Sequence, residues 1–146
     1  MIVGCLIINA AQKRRAIRSL SLAEANRMVQ AALDKAREMN IKLSVAVCDA
    51  GGHLLAFNRM EGAIWISVAA AQGKAVAATA FGRSSVAVPA DSPVIQSVMA
   101  SAGGHMVPAQ GALPVIRNGE LIGAIGGSGG TCEPDEDCAR AGLEAL

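Results

Sequence analysis

Asn118-Gly119 joins two short apolar runs, residues 113–117 and 120–125, and it constrains the fold more than any other feature of the chain. Both central residues of a type I′ hairpin need positive φ, and Asn and Gly adopt it at least cost, so this spacing predicts two antiparallel strands. The second run continues into GGSGG at 126–130, which reads as a glycine-rich turn opening onto an acidic helix start. A strand, such a turn and a helix N-terminus bring free backbone N–H groups together, a geometry suited to an anionic group, with Gly127, Ser128 and Gly129 at its centre.

A second hairpin is predicted upstream. Residues 43–48 alternate larger and smaller apolar side chains, Asp49-Ala50-Gly51-Gly52 supplies turn chemistry, and residues 53–57 return as a strand. Helices surround the two hairpins. Ser21 and Glu24 form a capping box, and Leu22, Ala25, Val29, Ala32, Leu33 and Ala36 then recur at three- and four-residue steps, with Asn40 placed to close the helix in the left-handed region. Residues 64–80 are Ala-rich and predict a long helix interrupted at Gly73 and stopped at Gly82. Asp91-Ser92-Pro93 starts a short helix to about Ser101. Pro134 and the acidic residues 135–137 start a last one, with charges that complement its dipole. The order is helix, strand, strand, long helix, short helix, strand, strand, helix. It predicts an α+β fold, an antiparallel sheet with helices packed on it, and excludes a Rossmann sheet, which needs parallel strands joined by crossover helices.

The chain of 146 residues is long enough for a core without disulfide staples. A formal charge of +1 leaves no electrostatic footprint for nucleic acid or an anionic membrane, and the absence of Tyr with one Trp and two Phe leaves no stacking surface for single strands. Cys5, Cys48, Cys132 and Cys138 show neither C-x-x-C spacing nor a nearby His, and read as buried reduced thiols of a cytoplasmic protein. Residues 1–19 place a short apolar run before the positive charges, the reverse of a secretory signal, and read as an extension or an extra strand. Residues 20–146 read as a single domain.

Catalytic and metal motifs are missing. No G-x-S-x-G, Walker A or G-x-G-x-x-G pattern occurs, and Ser67, Ser84 and Ser85 have no His at motif spacing. Asp49 reads first as a turn residue, with a general base as its sharper reading. The acidic group Glu133, Asp135, Glu136 and Asp137 reads as dipole complementation. The residues with ligand chemistry are His53, at the start of a strand, and His105-Met106, in a glycine-flanked loop. Imidazole and thioether both serve as axial ligands to haem iron.

LAEA (22–25), SVAVCDAGG (44–52), LAFNRMEGA (55–63), GKA (73–75), the loop 103–108, GELIGAIGGSG (119–129) and DEDCARAGL (135–143) together resemble the GlcG/HbpS family, which also forms the C-terminal domain of PduO-type proteins. The resemblance covers residues 20–146. It implies a profilin-like α/β/α sandwich with a five-stranded antiparallel sheet, and homo-oligomers, often octamers. Some members bind haem, so it also implies a small accessory protein binding a tetrapyrrole, haem or a corrinoid. The first helix has no His, unlike PduO-type domains, so the ligands here would come from His53, His105, Met106 or a hydroxyl, with Gly127–Gly129 near the propionates. Two other readings stand beside this one. One is an assembly protein whose small residues serve subunit packing. The other is an enzyme on a small oxygenated metabolite, using Asp49 or Glu61.

Overall fold

The computed structural model describes residues 19–146. Four helices and four strands follow in the predicted order: α1 (Leu22–Glu38), β1 (Ser44–Asp49), β2 (Leu54–Arg59), α2 (Ser67–Phe81), α3 (Pro93–Ser101), β3 (Ala112–Arg117), β4 (Glu120–Ser128) and α4 (Cys132–Glu144), with a single 3₁₀ turn, Ser85–Ala87, before α3. The strands form one antiparallel sheet in the order β2-β1-β4-β3, both hairpins intact. Among the described residues the sheet has four strands, where the family resemblance implied five. The extra strand considered for residues 1–19 lies, to residue 18, outside the described residues, as does Cys5.

Local chemistry sets the element boundaries. The Ser21 hydroxyl accepts the Glu24 N–H at 3.2 Å while the Glu24 carboxylate accepts the Ser21 N–H at 2.9 Å, the reciprocal capping box that starts α1. Asn40, at φ 55°, follows its end. Asn118 at φ 53° and Gly119 at φ 78° make the hairpin turn, and Arg117 faces Glu120 across it. Pro114 sits in β3, an edge strand, where a missing N–H costs the ladder least.

The sheet is buried on both faces. Val45 and Val47 of β1 point to one side with Val115, Ile122 and Ile125, against α1 and α4. Ala46 and Cys48, the alternate residues, point to the other with Ala112 and Ala124, against Ala71, Ala75 and Ala78 of α2. The first face holds the large side chains, each worth about 1.5–3 kcal/mol on burial. The second is built from small ones, so α2 lies close on the sheet: a β-carbon at Gly126 would overlap the Ala71 carbonyl. Leu22, expected on the inner stripe of α1, is exposed, and Met28 fills the core there instead.

Two further expectations are corrected. α2 begins at Ser67, because Ile64, Trp65 and Ile66 belong to an exposed turn, and it runs through Gly73 without a break. The missing side chain at Gly73 is filled by Val107, whose N–H donates to the Gly73 carbonyl at 2.9 Å and docks the following loop on the helix.

Candidate functional site

α2 covers β3, β4 and β1 but leaves the edge strand β2 open. Beside it lies a cavity of ≈ 580 Å³. Its floor is Ala46 and Cys48 of β1, one wall is the turn 50–52 with Leu54, and the other is the α2 face carrying Gln72, Val76 and Thr79 among alanines. Ala102, His105 and Met106 close the mouth, on the loop that Val107 anchors to Gly73. The space exists because the residues facing one another across it are mostly Ala and Gly. Its wall carries no Lys, Arg, Asp or Glu.

The polar atoms inside are few and paired. Cys48 Sγ lies 3.0 Å from Thr79 Oγ1, and the Thr79 hydroxyl donates to the Ala75 carbonyl at 3.0 Å. Burial pushes the Cys48 thiol up from its ordinary value, so it stays protonated and is a poor nucleophile. Cys138 is buried too, its thiol pushed up to about 11 by desolvation and the neighbouring Asp135 and Asp137. Cys132, expected to be buried, is exposed at the start of α4.

His53 lies outside the cavity lining, on the turn between β1 and β2. Its ring is 82% exposed and lies 3.2 Å from Asp49 Oδ1, while that same oxygen accepts the N–H groups of Gly51 at 2.8 Å and His53 at 2.9 Å. Partial burial raises the Asp49 pKa, but the N–H groups of His53 and Gly51 and the imidazole more than offset it, so the carboxyl sits below its ordinary value. His105 is exposed on the loop, and among the described residues its ring takes part in no hydrogen bond. Met106 beside it is half-buried.

The structure thus brings His105 and Met106 together in the cavity lining, and leaves His53 and Gly127, Ser128 and Gly129 outside it. Residues 126–128 continue β4, so the expected turn is shorter than its sequence suggests. Its N–H groups are already engaged: Gly127 donates to the Gly111 carbonyl at 2.8 Å and Gly130 to Asp135 Oδ1 at 2.8 Å. The anion at this helix start is the protein's own Asp135.

Asp135 also pairs with Lys74 of α2, Oδ2 to Nζ at 3.0 Å, and the same ammonium donates to the Gly127 carbonyl at 3.2 Å. The Lys74 and Asp135 side chains are 6% and 3% exposed. Reading Asp135 as dipole complementation missed this tie between α2, β4 and α4. The available signal was one Lys within an otherwise apolar, Ala-rich helix, since Lys is rarely buried without a partner. Ser67 and Ser85 are buried and hydrogen-bonded, to Ser44 and Ile64 and to Ala109 and Ala112, which gives them structural roles. Among the described residues no cluster of three His, Cys, Asp or Glu could hold a metal ion, and no helix is long and apolar enough to cross a membrane.

The class defined by these features is a small α/β sandwich with a four-stranded antiparallel sheet, helices on both faces, and a small-residue cavity between one helix and an edge hairpin. Residues 20–144 match the family model described as haem degrading protein HbpS-like, and the chain belongs to that family, the one to which GlcG and the PduO C-terminal domain are related. It is 33% identical over 140 residues to an uncharacterized 15.0 kDa protein of Citrobacter freundii encoded in the dhaT-dhaS intergenic region, covering 92% of this chain and 96% of that protein. The Klebsiella pneumoniae protein ORFY superposes with a TM-score of 0.78 at 32% identity, over 86% of this chain and 89% of that one. A PduOC:haem complex superposes with a TM-score of 0.80 at 27% identity, over 88% and 95%.

Proposed function

We propose that this chain is a small accessory protein that binds a tetrapyrrole, haem in the first instance, in the cavity beside α2. The observation that carries this reading is the cavity itself, with His105 and Met106 in its lining. Its ≈ 580 Å³ falls in the range of about 300–1,000 Å³ that cofactor pockets span. The uncharged wall suits the face of a macrocycle. Haem would supply iron chemistry; His105 and Met106 are the residues that would hold the iron, whereas His53, also expected as a ligand, lies outside this cavity, and Cys48, kept as a thiol, is part of the lining. The solved PduOC:haem complex supports the same ligand class in a related protein. A corrinoid is the second tetrapyrrole that the family context brings in, through the similarity to the corrinoid adenosyltransferase PduO of Salmonella typhimurium, of which this chain spans only 39%.

The reading includes a cytoplasmic homo-oligomer, an octamer by resemblance, of single domains formed by residues 20–146 on a profilin-like frame. Two observations favour oligomers: α3 has no buried residue although it carries Val94, Ile95, Val98 and Met99, and Trp65 is 80% exposed between Ile64 and Ile66. Those same observations support the second reading, an assembly protein without a cofactor. Titration of purified protein with hemin, followed at the Soret band, with cobalamin in parallel, separates the two. A sharp saturable shift at one haem per subunit is expected. A broad change that never saturates, with no cobalamin binding, would leave the assembly reading.

A further inference from the structure

We propose that the contact between Gly73 of α2 and Val107 is a latch that sets the place of His105 and Met106, with Gly73 as the positioning residue of the site; the inference rests on the haem reading above. The chain is pinned on both sides of these two residues. Before them, Gly104 N–H donates to the Met99 carbonyl at 2.9 Å and closes the end of α3. After them, Val107 N–H donates to the Gly73 carbonyl at 2.9 Å. Among the described residues, the N–H groups of His105 and Met106 donate to no protein group. The candidate ligands are therefore a short span held at its ends.

The two ends differ in firmness. Beyond Val107 the chain is fixed again, because the buried Ser85 hydroxyl donates to the Ala109 carbonyl at 2.6 Å and accepts the Ala112 N–H at 3.1 Å. Before Gly104 lies α3, which buries no side chain fully and so gives no rigid support. What holds the span on α2 is the Val107 hydrogen bond and the seat beside it. A β-carbon at residue 73 would lie 2.4 Å from Val107 Cγ2, 3.1 Å from its Cβ and 3.2 Å from the His105 carbonyl oxygen. Val107 thus occupies the place of a side chain on the helix, and only glycine leaves that place open. Gln72, just before the seat, and Val76, about one turn after it, line the cavity, as His105 and Met106 do from the loop. The latch stands where wall and mouth meet. One hydrogen bond and one packed side chain are what local opening breaks while the core stays folded. Closed, the latch presents His105 and Met106 to the cavity; open, it uncovers the mouth.

The first test needs no haem. In amide hydrogen exchange followed by NMR, Val107 should exchange more slowly than His105 and Met106 but far faster than the slowest amides of β1 and β4. Gly73→Ala should remove the Val107 protection and leave the strands unchanged. Val107 exchange as slow as that of the strands would overturn the proposal, since the contact would then open only with the whole fold. The second test follows hemin release, captured by excess apomyoglobin. Gly73→Ala should release hemin about 10-fold faster, the factor that one ordinary hydrogen bond carries, and should alter the Soret band that reports the iron's ligands. Its apoprotein should melt close to wild type, because Ala favours a helix interior over Gly and offsets the lost contact. Gly73→Ala/Val107→Ala removes the Cγ2 overlap and should bring the release rate back toward wild type. Val107→Ala alone leaves α2 untouched and, by emptying the seat, should also speed release, which keeps the test decisive should Gly73→Ala fail to fold. If wild type binds hemin and the single variants release it at the wild-type rate with the wild-type Soret band, the inference falls and the haem reading stands. If wild type shows no saturable Soret shift, the haem reading falls and takes this inference with it.

Discussion

Lys74 and Asp135 are the most demanding residues of this fold. Two charges removed from water must offset their own desolvation, and removing one partner strands the other. Asp135 also accepts the Gly130 N–H, and Lys74 donates to the Gly127 carbonyl, so the pair ties together α2, β4, the turn after it and α4. Lys74→Met should destabilise the protein by about 3–5 kcal/mol in urea unfolding, because it leaves a buried carboxylate unpaired. A cost below about 1 kcal/mol, the scale of an exposed pair, would contradict this account. At the residue scale the sequence was half legible. Asp135 was visible as a helix-start acid, but its partner lies 61 positions away, and nothing local announces a contact of that separation. His105 and Met106 were found through their ligand chemistry. The pairing of His53 with Asp49 was not, although the two are only four residues apart, because the turn that folds the ring back depends on three-dimensional geometry at Gly51 and Gly52.

Elements whose signals are local were read well. The capping box of α1, the Asn40 stop and the Asn118-Gly119 hairpin each depend on neighbours within a few residues, and each forms as its chemistry requires. Elements shaped by packing were read less well. Gly126 and Gly127 look like turn residues, yet they extend β4 because small residues let α2 and α4 approach that strand. Gly73 looks like a helix breaker, yet it receives Val107. The capping box also carries a pH dependence. The Ser21 backbone N–H, followed by its hydroxyl and Arg117, outweighs burial and holds the Glu24 carboxyl below the ordinary 4.5. Its folded value is therefore lower than its unfolded one, so its contribution is present above pH 4.5 and is lost as pH falls through the folded value. Glu24→Gln should lower stability at neutral pH and flatten the acid limb of a stability–pH curve. An unchanged acid limb would show that Glu24 gains nothing from Ser21 and Arg117.

At the scale of the whole molecule, the architecture was legible because alternation in β1 and periodicity in α1 together place helices on an antiparallel sheet. The cavity was not, since its lining comes from β1, a turn, α2 and a distant loop, and its size depends on what those residues lack. The outer surface makes its own demand. A nine-residue helix with no fully buried side chain is marginal in water alone, and in α3 only Ile95 and Met99 among the large apolar residues are even half-buried. Light scattering should therefore give a mass several times the 14.8 kDa of one chain, and Val94→Glu or Trp65→Glu should reduce it. A wild-type mass of one subunit would remove the oligomer from the account.

The central claim is that the space beside α2 is the binding site, and filling that space tests it most directly. Ala80 lies on the cavity wall and is exposed, so Ala80→Trp should occupy the cavity without disturbing the core. Hemin titration of Ala80→Trp beside wild type, with circular dichroism to confirm the fold, is the measurement. The account predicts that the saturable Soret shift is lost while the fold is kept. Equal hemin affinity in the two proteins would place the ligand elsewhere.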